Sequence, residues 1–121
     1  MPRNHREPVN ATEVNAQLFN LVQRCNELLR AYHGAGSEYV TTKDLYETAY
    51  SHEILLAEGT VQEKKAKADA KCSKEYLKYI QAETKYKYLK LAIDTTRDEL
   101  TALESIGSNL RQQFDLQKYQ T

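Results

Sequence analysis

Six lysines with a regular spacing are the residues of this chain best suited to bind a ligand. They recur at steps of 3, 4, 3, 4 and 7 residues: Lys64, Lys67, Lys71, Lys74, Lys78 and Lys85. On an α-helix they fall within about 80° of one another and form a stripe about 32 Å long. Tyr79 and Tyr86 lie to one side of it. Lysines beside aromatic rings can follow a phosphate backbone and stack bases, so these eight residues predict a site for single-stranded nucleic acid.

The same spacing has a structural interpretation, in which the stripe is a solvated helix face or a protein contact. The net charge is −3 over residues 1–59, +5 over 60–90 and −2 over 91–121, and it is zero overall. The acidic segments would neutralise the lysines within a subunit or across a dimer. A pI near 6.8 favours this interpretation, because dedicated nucleic-acid-binding proteins are usually basic as a whole.

Catalytic and metal sites have no comparable pattern. Cys25 and Cys72 stand alone, and the three histidines are scattered along the chain. A metal site needs three or four convergent donors. The short run 34–36 contains two glycines but follows no predicted strand, so it does not indicate a phosphate-binding loop. We therefore expect no cofactor, no metal, no enzymatic activity and two reduced cysteines.

The elements that position these residues are predicted to be helices, because apolar residues recur at steps of 3 and 4. Asn10 with Glu13 predicts a cap for a first helix, 10–33, which the glycines at 34 and 36 would end. A second helix is expected over 37–58. Gly59 then ends that helix, and Thr60 with Glu63 forms a capping box that opens a third segment, 60–118.

The third segment changes its apolar face near residue 90 on a helical wheel. Two alternatives follow: a continuous helix that changes partners, or a bend at residues 92–96 that starts a fourth helix. The rear apolar set would be exposed in a monomer, which predicts an oligomer interface. Its members are Ile93, Leu100, Leu103, Ile106, Leu110 and Phe114.

These patterns together predict an elongated, coiled-coil-like all-α protein. Residues 1–9 would be a mobile arm, and 10–121 a single domain in which a helical hairpin packs on the long third helix. The rear half would pair with a second copy, most simply as a two-fold dimer. No apolar run approaches the ~18–20 residues of a membrane span, and the N-terminus lacks a secretory signal. We therefore expect no membrane contact and a cytoplasmic location.

The segment Leu55–Ala66, LLAEGTVQEKKA, resembles a turn that joins two helices in small helical proteins of tailed phages. The later segments Leu100–Ile106 and Leu110–Arg111 resemble the leucine-spaced end of the same proteins. The resemblance covers residues 40–115 and supplies no catalytic residues. It implies a phage accessory protein in the host cytoplasm, near replication and recombination functions. An inhibitor that binds a host protein is a further alternative, as is a protein whose partner is another phage protein.

Overall fold

The computed structural model describes residues 10–119, so the predicted arm at residues 1–9 lies outside the described residues. Three helices cover almost all of this range: α1, Ala11–Leu56; α2, Val61–Lys71; and α3, Ser73–Tyr119. No strand occurs among the described residues. The predicted all-α class is confirmed, as is the packing of a helix against a long later helix.

The helix ends follow local capping signals. The Glu13 amide donates a hydrogen bond to the Asn10 side chain at 2.8 Å, and the Glu63 amide donates to the Thr60 hydroxyl at 3.2 Å. Gly59 has a φ of 117°, a left-handed conformation that favours glycine after a helix. A Cβ there would also collide with the Glu63 carboxylate. These contacts fix the turn between α1 and α2 where the sequence predicted it.

Two predicted helix boundaries are wrong. The helices expected at 10–33 and 37–58 are one continuous helix, because Gly34 and Gly36 keep helical backbone angles and do not end α1. The third segment is divided at Cys72 into α2 and α3, a break that no proline or glycine announced. At 92–96 α3 is uninterrupted, so the alternative of a bend that starts a fourth helix is wrong.

The first compact unit contains residues 10–29 and 92–119 of the described chain. Its core is apolar and small: Val14, Cys25, Ile93 and Leu103 are buried, and a Cβ on Gly107 would lie 3.2 Å from Val14 Cγ1. Buried Thr96 donates its hydroxyl to the Ala92 carbonyl at 2.8 Å. The start of α1 therefore packs directly on the end of α3.

The second compact unit contains residues 30–91. The last part of α1 packs antiparallel to α2 and the start of α3, since Tyr32 meets Tyr86 and Glu53 meets Lys71. Ala35, Ala68, Cys72, Ala82 and Leu89 are buried here. Most of these side chains are small, which allows the helices to approach closely and leaves the larger volume to tyrosines.

The predicted change of apolar face on α3 is wrong. Every fully buried residue from 72 to 110 falls on a single repeat with steps of 3 and 4, together with half-buried residues between them: Cys72, Glu75, Tyr79, Ala82, Tyr86, Leu89, Ile93, Thr96, Leu100, Leu103, Gly107 and Leu110. This is the repeat of a coiled-coil seam. Four larger residues of the same stretch, Tyr76, Leu77, Tyr88 and Leu91, lie outside this repeat and are exposed.

Candidate functional site

Stacked tyrosines fill the seam of the second unit. Tyr86 stacks on Tyr32 and on Tyr39, with ring centroids 4.7 and 5.4 Å apart. Tyr79 stacks on Tyr46 at 5.6 Å and meets Tyr39 at 5.9 Å. The Tyr32 hydroxyl donates to the Tyr86 hydroxyl at 2.6 Å. Tyr79 and Tyr86 therefore pack between helices, and bases would stack on them only if the seam opened.

One carboxylate anchors the polar edge of this tyrosine seam. The Tyr39 hydroxyl donates to Glu83 at 3.3 Å, and the Lys87 ammonium donates to the other Glu83 oxygen at 3.2 Å. The hydrogen bond from Lys87 is the main reason that the pKa of Glu83 is lowered. Desolvation, together with the nearby Glu83 carboxylate, raises the pKa of Tyr79 to about 12. The arrangement keeps the phenol neutral and the carboxylate charged, which stabilises packing rather than activating a nucleophile.

Neither cysteine has the surroundings of a reactive thiol. Both are buried and reduced. Burial raises the pKa of Cys72, and the carboxylates of Glu75, Glu53 and Asp69 raise it further. A reactive cysteine needs a lowered pKa and solvent access. Among the described residues one oxygen of Glu75 is buried without a hydrogen-bond partner, an arrangement that costs desolvation free energy.

The lysine stripe lies beside the acidic residues of α1. Lys71 pairs with Glu53 at 3.4 Å, and Lys85 lies 3.9 Å from Glu38. All four residues belong to the second unit. Lys71 and Lys85 therefore make the contacts with acidic residues of the same chain that the structural interpretation of the stripe expects. Because the pairs are largely exposed, each contributes little to stability.

The other four lysines differ in their surroundings. The Lys67 ammonium donates to the backbone carbonyl of Glu58 at 3.0 Å, across the α1–α2 turn. Lys64 is half-buried, whereas Lys74 and Lys78 are exposed on α3. Lys74 and Lys78 are thus the exposed lysines of the stripe that make no hydrogen bond or ion pair with another described residue.

The predicted oligomer interface is mostly covered within the chain itself. Ile93 and Leu103 are only 4% and 8% exposed, and Leu100, Ile106 and Leu110 are half-buried. Phe114 alone of the six is exposed, at 62%. The interface was predicted because this apolar face was expected to be exposed to solvent in a monomer. That expectation is wrong, since the start of α1 packs on the last part of α3.

Other large apolar side chains are exposed in the second unit, and sequence reasoning did not select them. Three flank the α1–α2 turn: Leu55, Leu56 and Val61 are 84%, 66% and 69% exposed. We call these three residues the tip surface. In the sequence these three residues look like core residues, and they can be recognised as exposed only if the inward seam is known. Because the sequence predicted that seam incorrectly, the tip surface was missed.

A second exposed set lies on the outer face of α3, at residues 77–91. Leu77, Tyr88 and Leu91 are 56%, 68% and 65% exposed. Tyr88 follows Lys85 by three residues, so it continues the 3-and-4 spacing of the lysine stripe. That spacing indicates Tyr88 as the exposed aromatic residue beside the lysines, whereas this role was predicted for Tyr79 and Tyr86.

One groove of the second unit has a largely aromatic lining. A groove of about 650 Å³ in the second unit is lined by Tyr32, Gly36, Tyr39, Val40 and Tyr86, among others. Within residues 10–119 no group of three or more His, Cys, Asp or Glu side chains is placed to hold a metal ion. Over the same residues, no helix combines the length and the apolar character needed to span a bilayer.

Comparison with known proteins gives no further guidance, since no family model, curated protein or solved structure matches this chain.

Proposed function

We propose that this chain is a non-enzymatic interaction protein that forms a homodimer through its tip surface. The observation that carries the proposal is the exposure of Leu55, Leu56 and Val61, three large aliphatic side chains within seven residues. Leu55 is the most exposed large hydrophobic residue of the described chain. Grouped apolar side chains of this kind usually mark an interaction site.

The turn between the residues of the tip surface is fixed by local contacts, which favours its use in binding. Gly59 and the Thr60 cap fix the turn, and the Lys67 ammonium is hydrogen-bonded to the carbonyl of the residue before Gly59. A preorganised surface loses little conformational entropy when a partner covers it. The apolar gain is about 25 cal/mol for each Å² removed from water.

The charges around the tip surface favour a second copy of the chain as the partner. Residues 53–67 contain three glutamates and three lysines. A two-fold axis brings the same patch together from both copies, so a balanced patch can pair its own lysines with its own glutamates. A strongly basic or acidic patch would instead repel itself.

The biological setting that we propose is that of a phage accessory protein that binds a host or phage protein. This part of the proposal rests on the resemblance of Leu55–Ala66 to the turn in small helical proteins of tailed phages. The tip surface lies within that segment. Inhibition of a host protein by occlusion would use the same exposed leucines.

The dimer is tested by light scattering after gel filtration. We expect a dimer mass for the natural protein and a monomer mass for the double variant Leu55→Glu with Leu56→Glu, with unchanged helix content. Leu77→Glu is the matched control, because Leu77 is an exposed leucine of the same unit outside the tip surface. A monomeric natural protein at tens of micromolar, or dissociation by Leu77→Glu alone, would contradict the proposal.

A second candidate function is binding of single-stranded nucleic acid. It is favoured by the exposure of Lys74, Lys78 and Tyr88, which share one side of α3. The test is binding of a labelled oligothymidylate over a range of salt concentrations. Each phosphate contact contributes about −0.7 to the slope of log affinity against log salt.

The variant Lys74→Glu with Lys78→Glu should weaken nucleic-acid binding and make that slope shallower. Lys90→Glu is the control, because Lys90 is an exposed lysine outside the stripe. Binding that does not respond to salt, or an equal loss in Lys90→Glu, would exclude the stripe as the site.

A further inference from the structure

The outer face of α3 carries a second seam-like pattern. Five residues recur there at steps of 4, 3, 4 and 3, all exposed and all uncharged: Leu77, Gln81, Thr84, Tyr88 and Leu91. We call this set the outer strip. On a helix it lies roughly opposite the inward seam of Tyr79, Ala82, Tyr86 and Leu89. A helix with apolar seams on two sides can pack against two partners, and within the second unit α1 occupies only the inner one.

The outer strip suits burial beneath another helix. Leu77, Tyr88 and Leu91 provide apolar surface. The Thr84 hydroxyl already donates to the Ile80 carbonyl at 2.9 Å, so a partner that covers it leaves no unsatisfied donor. Tyrosine combines a large apolar ring with a polar tip and is frequent at interfaces. The strip is about 21 Å long at ~1.5 Å per residue, which matches four turns of a partner helix.

The charges beside the outer strip decide what kind of helix fits. Five lysines and two glutamates lie between residues 74 and 91. Lys74, Lys78 and Lys85 border one side of the strip and Lys87 the other. Both glutamates face elsewhere: Glu83 binds Tyr39 and Lys87, and Glu75 lies in the inward seam. Of the lysines that border the strip, Lys74 and Lys78 are therefore the most available to a partner.

From this arrangement we infer that the outer strip binds an acidic amphipathic helix of a partner protein, whose apolar residues are spaced by 3 and 4 and flanked by Asp or Glu. A second copy of α3 would bring lysines against lysines across the strip, which disfavours self-association there. The inference rests on the proposal that the chain is an interaction protein, but it uses a surface separate from the tip surface.

The test uses a fluorescein-labelled helical peptide of about 20 residues, with leucines spaced by 3 and 4 and glutamates on both sides. Two control peptides have the same residues in scrambled order or lysines in place of the glutamates. Fluorescence anisotropy with the full chain should show binding of the acidic amphipathic peptide alone. Leu77→Glu should weaken that binding by more than about tenfold, and Lys74→Glu with Lys78→Glu by about tenfold.

The tip variant Leu55→Glu with Leu56→Glu is the matched control and should bind the peptide like the natural chain. Equal binding of the lysine-flanked peptide would overturn the inference, as would loss of peptide binding in the tip variant. Suppose that oligothymidylate displaces the acidic peptide and binds the Leu77→Glu variant as tightly as the natural chain. The ligand of this surface would then be nucleic acid and not a partner helix. If the natural chain forms an assembly larger than a dimer, and Leu77→Glu reduces that assembly to a dimer, the occupant of the outer strip is a second copy of the chain.

The mass of each variant separates this inference from the proposed dimer. A natural chain that is a dimer but binds no peptide refutes the partner helix and leaves the tip surface standing. A monomer that binds the acidic peptide refutes the tip surface and supports the partner helix.

Discussion

Replacement of Gly34 by alanine should stabilise this protein. Gly34 lies in the interior of α1, is exposed, and has nothing within 4 Å of the place that a Cβ would occupy. Alanine is more favourable than glycine inside a helix by about 0.8–1 kcal/mol, chiefly because it restricts the unfolded chain. No new contact offsets that gain, so we expect the folded-to-unfolded ratio to rise about fivefold.

Alanine substitutions at two other glycines provide comparisons for the expected gain in the free energy of unfolding. A Cβ on Gly36 would lie 3.3 Å from Tyr86 Cε2, so the same backbone gain is reduced by displacement of a stacked ring. Gly36→Ala should therefore stabilise less than Gly34→Ala. Gly59 has a positive φ and would place a Cβ against Glu63, so Gly59→Ala should destabilise by more than about 1 kcal/mol.

Urea unfolding followed by far-ultraviolet circular dichroism measures all three variants. With a urea slope of about 1–3 kcal/mol per molar, Gly34→Ala should raise the midpoint by about 0.3–1 M and leave the slope unchanged. A lowered midpoint for Gly34→Ala would refute the reasoning, because it would mean that residue 34 needs a conformation outside the helix.

Five further variants test the cap, the seam and the tyrosines. Thr60→Ala should lower the unfolding free energy by about 1 kcal/mol, whereas Thr60→Ser, which keeps the hydroxyl acceptor, should change it little in the same urea assay. Glu75→Leu should raise it by about 1 kcal/mol, since it removes a buried oxygen that lacks a partner, and a lower midpoint would contradict this account. The pKa of Tyr79 is raised to about 12, so its stabilising contribution is complete below the unfolded pKa of about 10 and is lost as the pH rises towards 12. Tyr79→Phe should flatten the fall in stability over that range and Tyr88→Phe should not, as measured by urea unfolding at a series of pH values.

The features that sequence predicted well are those decided by neighbouring residues. Asn10 with Glu13 and Thr60 with Glu63 form the predicted caps, and Gly59 ends a helix at its predicted place. Each of these signals acts within four residues, so no knowledge of tertiary packing is needed to interpret it.

The features that sequence predicted poorly are those decided by packing. Two glycines at 34 and 36 cost a helix only about 1 kcal/mol each, which the contacts of α1 with α3 outweigh. The inward seam of α3 passes through Ala82, Thr96 and Gly107, residues that a search for large apolar side chains does not count. Small residues pack inward wherever helices approach closely, and the larger Leu77 and Tyr88 remain outside.

The lysine stripe shows why residue type alone does not assign a site. The spacing grouped Lys71 with Lys85, which lie in α2 and α3, but it could not give their distances to glutamates of α1, because those distances depend on the register between helices. Tyr79 and Tyr88 are both near the stripe in sequence, yet one stacks in the seam and the other is 68% exposed. Register decides between these outcomes, and it is set by the whole seam.

The placement of the tyrosines gives the molecule an intrinsic optical label. The chain has no tryptophan, and eight of its nine tyrosines lie within residues 30–91, the second unit. Tyrosine emission and near-ultraviolet dichroism therefore report on that unit, whereas far-ultraviolet dichroism reports on the helices of both. Superimposed transitions would mean that the two units melt as one cooperative body, and an offset would give each its own melting curve without any attached dye.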